Sequence, residues 1–375
     1  MNLNKSLRTL KISECNSIFR GSIFRYLSQF KANEIDFEDR KQNFINTIFD
    51  NILLETKDFY LIDKPAGVSL FRSKPKGDPN YVSKCSEFAV QDIIPDLCSK
   101  LEIESQFANI SSELPWNYSG LFVFSKNKQH YETSKKFFKT SSYGMGSGYI
   151  SQSYRCLCWN RPINNQLDTI PFSFRKFYPD KTDNQNSIIY KSKHSSKNEI
   201  NTKSVWTKHI GHDVVSYGNL ENDKIVLIDV KCNSSYRGLV QLYLLHQGSI
   251  VVGEFLQASR LVTDGVNNDI CILPPEKANA AKPLPIQFRQ RLGTFGRELN
   301  KLPLHIHCIE LLVPSNDRKP KTESYLSESK FNFNSRPGIT INWDHSLKLN
   351  VCSYHSVPDY YSEIMKHFNI SLPLN

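Results

Sequence analysis

The sequence lacks an apolar run of about 18 residues, the length that a helix needs to cross a bilayer, so no membrane span is expected. Its nine cysteines are odd in number and contain no CxxC pair. They therefore indicate reduced thiols in an intracellular compartment and not a disulfide framework. No internal repeat is present. These absences are typical of a globular protein with free cysteines.

The composition describes a soluble protein with a marked basic excess. The chain has 375 residues, of which 39% are hydrophobic and 22% charged, and its 47 Lys and Arg against 37 Asp and Glu give a net charge of +10. That length accommodates one large domain or two ordinary ones. The charge favours a polyanionic partner, RNA or DNA before a membrane. The alternative is a basic solvated surface that binds nothing.

Two close pairs of metal-ligand residue types occur, Cys156-x-Cys158 and His305-x-His307. On a strand the members of each pair would share one face, so a zinc site is conceivable. Both pairs lie inside apolar or aromatic runs, which favours buried strand residues. We therefore predict no bound metal and no cofactor.

The first thirty residues are basic, with a single acid, Glu14. Leu, Ile and Phe alternate with Ser in this segment, as in a mitochondrial presequence, whereas a secretory signal needs a continuous apolar core. A disordered basic arm is the alternative. The expected location is the mitochondrial matrix. The basic residues of the arm are Lys5, Arg8, Lys11, Arg20 and Arg25.

Strand and helix patterns alternate irregularly along the rest of the chain, which predicts an α+β fold around a largely antiparallel sheet. We expect an arm with a linker helix over residues 1–49 and one domain over 50–375, interrupted by a polar insertion at about 179–203. Helices are predicted for Glu34–Ile52, AVQDIIPDL, Tyr131–Lys139, Leu239–Leu245 and YYSEIMKHFNI. Strands are predicted on both sides of the turn in FYLIDKPAGVSLF, and in the Leu121 run, YISQSYRCLCW, SVWTKHI, KIVLIDVKC and LPLHIHCIELLVP.

The stretch SSELPWNYSGLFVFSKN, residues 111–127, has the form of a functional loop. A turn-rich segment leads through Gly120 into a buried strand, which is a common way to hold a catalytic side chain. The segment before Gly120 nevertheless contains no Asp, His, Cys or Lys, and its one carboxylate is Glu113.

Five segments, in order and at suitable distances over residues 55–370, resemble motifs of the RluA-like pseudouridine synthases, which isomerise uridine in RNA. YSGLFVFSKN is similar to the end of the family motif H-R-L-D-R-x-T-S-G-L-L-L-x-A-K. The resemblance implies the pseudouridine synthase fold, with a mixed, bifurcated and largely antiparallel sheet beside an RNA-binding cleft. It is strongest with the animal mitochondrial branch, one member of which also lacks the aspartate segment. The other segments are DKPAGVSL, SQSYRCLCW, GSIVVGE and LPLHIHCIELLVP.

Alignment with this motif leaves no aspartate at the catalytic position. The family aspartate corresponds to Pro115 and its flanking arginine to Trp116, while the preceding histidine and arginine correspond to Ser112 and Glu113. The chemistry requires a carboxylate that attacks the sugar or removes a proton. Proline can do neither, so no catalytic residue is expected in the loop.

The arginine that pairs with the family aspartate is also replaced. Counting back from Gly248, its position is occupied by Gln241. A buried guanidinium without its carboxylate is costly, so loss of both partners is consistent. Arg237, four residues earlier, is a weak candidate for a substitute, because its side chain would project elsewhere on a helix.

Other positions remain as candidates for binding or chemistry. Tyr154 matches the family tyrosine that packs beside the target base, although an ordinary strand tyrosine has the same pattern; the family lysine two residues earlier is Gln152. Glu113 and Asp92 are candidates for a displaced carboxylate, with Asp96 as a further acid to test. The predicted phosphate contacts are Lys64, Lys126, Arg289, Arg291 and Arg297.

Three functions remain open. The leading hypothesis is an RNA-binding protein that acts on mitochondrial rRNA or mRNA without ordinary catalysis, in RNA folding or ribosome assembly. The second is an active pseudouridine synthase with a displaced carboxylate. The third is a structural subunit that holds protein partners such as ribosome assembly factors, with RNA incidental.

Overall fold

The computed structural model describes thirteen segments, and the statements below concern these residues. They are 37–72, 86–143, 150–177, 187–191, 205–218, 225–234, 238–254, 261–264, 269–272, 303–314, 339–344, 348–353 and 357–371.

The described strands form one fifteen-stranded sheet. Its main path runs in the order β1-β2-β4-β13-β5-β9-β8-β6-β7-β12-β11, and β3, β10, β14 and β15 pair beside it. The strands are β1 (Ile52–Glu55), β2 (Phe59–Lys64), β3 (Asn109–Ile110), β4 (Ser119–Ser125), β5 (Gln152–Trp159), β6 (Gln166–Phe177), β7 (Ser187–Lys191), β8 (Val205–Tyr217), β9 (Ile225–Cys232), β10 (Ile250–Val251), β11 (Leu261–Asp264), β12 (Asp269–Ile272), β13 (Ile306–Pro314), β14 (Ile339–Asp344) and β15 (Lys348–Ser353).

The sheet forks at β13. The start of this strand pairs in parallel with β4, where His307 lies opposite Ser119. Its later part pairs with β15, where Glu310 lies opposite Cys352. The other pairings between named strands are antiparallel. An irregularity between Cys308 and Glu310 bends β13 at the fork. The predicted mixed, bifurcated, largely antiparallel sheet is therefore confirmed.

The two faces of the central sheet are both covered. Successive side chains on a strand point to opposite faces, and all eight residues of β5 are buried. We call the face that carries Tyr154 and Cys156 the front face. It packs against the apolar helix α4 (Leu239–His246). The back face carries Leu157 and Trp159 and packs against the terminal helix α5 (Asp359–His367).

The remaining described helices are α1 (Phe37–Asp50), α2 (Ile94–Lys100) and α3 (Lys128–Tyr143), and a 3₁₀ turn, Val90–Ile93, precedes α2. The helix α1 begins with Glu38 and Asp39, whose charges favour a helix start, and it buries Phe44, Ile45 and Ile48 on one stripe. All five predicted helices are present, with ends shifted by a few residues. None of the described helices is long and apolar enough to cross a membrane.

One prediction about local structure was wrong. The segment after the turn at residues 65–67 is not a strand but makes one isolated bridge, Ser69 to Ala89. It buries Val68 and Leu70, and the carbonyls of Ser69 and Leu70 accept hydrogen bonds from Val90 N and Gln91 N at the start of the 3₁₀ turn. Within the predicted insertion, Ser187–Lys191 form β7, which pairs with β6 and β12; the rest of 179–203 lies outside the described residues.

Candidate functional site

Lys64 holds the loop of residues 111–118 onto the end of β2. Its side chain is 0% exposed. The ammonium donates hydrogen bonds to the carbonyl oxygens of Pro65 (3.0 Å), Val68 (2.8 Å) and Trp116 (3.3 Å), and to that of Tyr118. A buried ammonium satisfied by carbonyls is a structural residue. The predicted role of Lys64 as a phosphate contact therefore does not fit the structure.

The loop leaves this anchor through Gly120, which lies against the fork of the sheet. Gly120 has φ +108°, and a Cβ at this position would lie 2.8 Å from Cys308 Cα. Only glycine combines this backbone conformation with such a close approach. The same loop is fixed earlier by Ser112, whose Oγ accepts a hydrogen bond from Val123 N at 2.8 Å. The loop is thus bound tightly at both ends.

A neutral hydrogen bond joins the loop 111–118 to Gln241, the residue at the position that the resemblance gives to the arginine. Gln241, at the arginine position, is 2% exposed on α4. Its Oε1 accepts a hydrogen bond from the hydroxyl of Tyr118. Pro115 forms the turn before this tyrosine, with Tyr118 N donating to Pro115 O at 3.1 Å. Burial raises the pKa of Tyr118 well above its usual value, so the hydroxyl stays protonated at neutral pH.

Tyr154 is part of the same buried group and is 0% exposed. Its ring meets the Tyr118 ring edge-on, with centroids 5.6 Å apart, and its hydroxyl donates to Gln152 Oε1 at 2.7 Å. Burial also raises its pKa well above the usual value. Tyr154 lies on the front face of β5, and a nucleotide base could not reach its ring without displacement of neighbouring side chains.

The three carboxylates suggested by the sequence have other positions. Glu113 is exposed. Asp92 accepts a hydrogen bond from Ala89 N at 3.1 Å and pairs with Arg72 at 3.1 Å. Asp96 pairs with Lys41 at 2.9 Å. None of the three belongs to the buried group around Tyr118.

Sequence reasoning missed Glu254, which is 7% exposed. Burial is the largest cause of the raised pKa of Tyr118, followed by Cys156 and Cys232. The negative charge of Glu254 raises this pKa further. This influence requires Glu254 to lie near the tyrosine hydroxyl region. The signal was available, because Glu254 is the last residue of the GSIVVGE segment.

Of the other basic residues predicted as contacts, Lys126 is paired within the protein, and the arginines lie outside the described residues. Lys126 pairs with Glu55 at 2.7 Å and lies 4.2 Å from the centre of the Tyr60 ring. It therefore stabilises the meeting of β1, β2 and β4, which weakens its case as a phosphate contact. The positions of Arg237, Arg289, Arg291 and Arg297 lie outside the described residues.

A second polar group, on the back face, was also not foreseen. Arg155 is 1% exposed and forms a two-point ion pair with Asp229 at 2.9 and 2.8 Å. Nearby, the Oγ of Ser119 on β4 lies 2.9 Å from Nδ1 of His307 on β13 and 2.8 Å from the hydroxyl of Tyr360 on α5. These bonds attach α5 to the strand that leaves the loop, so this group supports the front-face site from behind.

The cysteine and histidine pairs are interior residues. Cys156 and Cys158 are fully buried, and burial raises the pKa of both thiols. His305 is fully buried with Nδ1 2.9 Å from Pro303 O. Within the described ranges, no three His, Cys, Asp or Glu side chains converge in a way that could hold a metal ion.

Comparison with solved structures gives the fold of the chain. A human protein titled RNA Pseudouridylate Synthase Domain Containing 4 matches 90% of this chain and 100% of its own, with a TM-score of 0.57 and 12% identity. Human RNA Pseudouridylate Synthase Domain Containing 1 matches 84% of this chain and 94% of its own, with a TM-score of 0.42 and 12% identity. No protein-family model and no curated protein sequence matches the chain. The first match shows that the chain has the fold of a pseudouridylate synthase domain.

Proposed function

We propose that this protein is an RNA-binding member of the RluA-like pseudouridine synthases that does not isomerise uridine. It acts on mitochondrial RNA, rRNA or mRNA, in folding or ribosome assembly. The fold of a pseudouridylate synthase domain, a net charge of +10 and the five motif segments support this proposal.

The observation that carries the proposal is the hydrogen bond between Tyr118 and Gln241. In the resembling family an aspartate and an arginine form the charged centre of the site. Here Gln241, at the position that the resemblance gives to the arginine, is paired with the phenol of Tyr118 in the interior. Such a pair stabilises the core but offers neither a nucleophile nor a base near neutral pH.

The test is a release assay on RNA labelled with tritium at uridine C5, from which isomerisation liberates the label as water. We expect no release above that of a heat-denatured sample. A synthase of known activity on the same RNA provides the positive control. Clear, enzyme-dependent release would overturn the proposal.

The alternative is an active synthase with a displaced carboxylate, and the burial of Glu254 near Tyr118 favours this residue over Glu113. If label is released, Glu254→Gln should lower the rate by several orders of magnitude and Glu113→Gln should lower it little. Release that is unaffected by both changes would mean that the reaction occurs elsewhere on the protein.

The mitochondrial location rests on the basic arm, Met1–Gln29, which lies outside the described residues. Fused to a fluorescent reporter, the arm should direct it to mitochondria, and replacement of Arg8, Arg20 and Arg25 by Gln should leave the reporter in the cytosol. A cytosolic signal from the unaltered arm would remove the argument for mitochondrial RNA.

The structural-subunit alternative predicts RNA affinity that is weak and flat with salt. RNA binding predicts that log affinity falls by about 0.7–0.9 per phosphate contact for each log unit of salt. Filter binding between 50 and 200 mM salt therefore separates the two functions.

A further inference from the structure

The outer face of α3 (Lys128–Tyr143) is an exposed row of lysines that the candidate site does not use. Lys128, Lys135, Lys136 and Lys139 are exposed, and Glu132 is the one acid among the helix residues. At 100° per residue, Lys128, Lys135 and Lys139 lie within about 40° of one another and extend over about 16 Å. Lys136 lies about 60–100° farther around the helix. We call Lys128, Lys135, Lys136 and Lys139 together the lysine face.

Packing on the opposite side fixes the direction of the lysine face. His130 stacks on Phe59 with ring centres 4.9 Å apart, and its Nδ1 lies 2.6 Å from Ser125 Oγ. At the far end of the helix, Asn233 Nδ2 donates to Ser141 O at 3.0 Å. Because the helix is anchored at both ends, binding need not order its backbone, and the entropy cost is confined to the lysine side chains.

The lysine face is only partly neutralised by neighbouring acids. Glu132 Oε1 lies 3.9 Å from Lys128 Nζ, and both side chains are more than 60% exposed, so this pair is weak. Lys135 donates to the Tyr131 hydroxyl at 3.0 Å. The helix α3 itself has four lysines and one glutamate, which leaves a net positive charge along its own sequence.

The face is also continuous with the candidate site. The pKa of Lys135 is raised chiefly by its hydrogen bond to Tyr131, and Glu113 adds a smaller electrostatic contribution. Ser111, the first residue of the loop 111–118, has its Oγ 2.8 Å from Ser125 Oγ, which in turn lies 2.6 Å from His130 Nδ1. The start of the loop therefore adjoins the first turn of α3. A strand that passes the loop would meet α3.

We propose that the lysine face binds the phosphate backbone of an RNA that also passes the loop 111–118. This inference rests on the proposed function and identifies where it contacts RNA. Ammonium groups spaced along a helix suit successive phosphates as point charges. A membrane-surface helix would expose apolar residues beside its lysines, whereas Phe137 and Phe138 are half-buried against the protein. Protein interfaces are depleted in lysine.

The test compares two variants that each lose three positive charges. One carries Lys135→Gln, Lys136→Gln and Lys139→Gln. The matched control carries Lys57→Gln, Lys231→Gln and Lys366→Gln, which are exposed lysines outside α3. The full-length proteins are titrated with a synthetic RNA hairpin that has a single-stranded flank, at salt concentrations from 50 to 200 mM. Circular dichroism checks that both variants remain folded.

We expect the α3 variant to bind at least tenfold more weakly than the unaltered protein, with a salt slope reduced by about 2 to 3. The control should stay within about threefold. Equal weakening of the two variants, or an α3 variant that binds like the unaltered protein, would overturn the inference while leaving RNA binding intact. No salt-dependent binding by the unaltered protein would overturn the proposed function as well. If the α3 variant lost the binding to phosphatidylserine vesicles that the unaltered protein shows, while its RNA binding stayed unchanged, the lysine face would instead be a membrane-binding surface.

Discussion

Replacement of Lys64 by methionine should separate a structural lysine from an RNA contact. The substitution keeps an unbranched side chain that is one atom shorter and removes the ammonium that bonds to the carbonyls of Pro65, Val68, Trp116 and Tyr118. We expect a large loss of stability centred on the turn at residues 65–68 and on the loop 111–118, to which these carbonyls belong.

The size of the loss follows from the carbonyls left behind. The Trp116 carbonyl also accepts a bond from Gly67 N at 2.9 Å and so keeps a partner. Each buried carbonyl that loses its partner costs about 1–3 kcal/mol, and relief of the buried charge offsets part of the sum. The free energy of unfolding should fall by about 2–4 kcal/mol. Urea unfolding followed by tryptophan fluorescence measures this change, and hydrogen exchange of residues 111–118 locates it.

Lys57→Met, at an exposed turn position, is the matched control and should change stability by less than about 0.5 kcal/mol. The structural argument fails if the Lys64 variant unfolds like the unaltered protein. It also fails if that variant keeps its stability but loses RNA affinity, since Lys64 would then be the phosphate contact that the sequence pattern suggested.

Three further predictions concern the interior. Tyr118→Phe removes the partner of buried Gln241 and should cost about 1–3 kcal/mol in urea unfolding; an unchanged midpoint would mean that this hydrogen bond contributes nothing. Gly120→Ala should cost about 3 kcal/mol or more, because its Cβ would meet the Cys308 backbone at positive φ; a normal yield of stable protein would contradict this. Burial lowers the pKa of His305 from 6.5 to about 4, so between these pH values the unfolded state binds more protons than the folded state. The contribution of His305 to the free energy of unfolding is therefore fully present above pH 6.5 and should decrease by about 3 kcal/mol as the pH falls to 4. His305→Gln should flatten the pH dependence in that window, and a slope identical to that of the unaltered protein would exclude His305 as its source.

Local patterns were enough to predict most elements of the central sheet. The apolar run of β9 and the alternation in β5 specify strands, and the apolar run of α4 was correctly assigned to a helix. The second strand after Gly67 was predicted wrongly, because a β-prone run forms a strand only where an edge is available for pairing. The strand β7 was missed because the polar residues around it concealed the short β-prone run Ile188–Tyr190, which pairs between β6 and β12.

The sequence by itself determined what the site lacks. Residue identities alone put a proline where the resembling family has its aspartate and an amide where it has its arginine, since a missing functional group needs no coordinates to recognise. Composition likewise determined the basic excess that points to a polyanion.

Only the tertiary structure decided what Gln241 contacts and which charged residues lie at the surface. Tyr118 and Gln241 are 123 residues apart in the chain, and their hydrogen bond depends on α4 crossing the front face. Lys64 and the lysines of α3 carry the same charge in the sequence, yet Lys64 is buried among carbonyls and the α3 lysines face outward. The physical reason is that burial and side-chain partners depend on which distant elements pack together, and local periodicity carries little of that information.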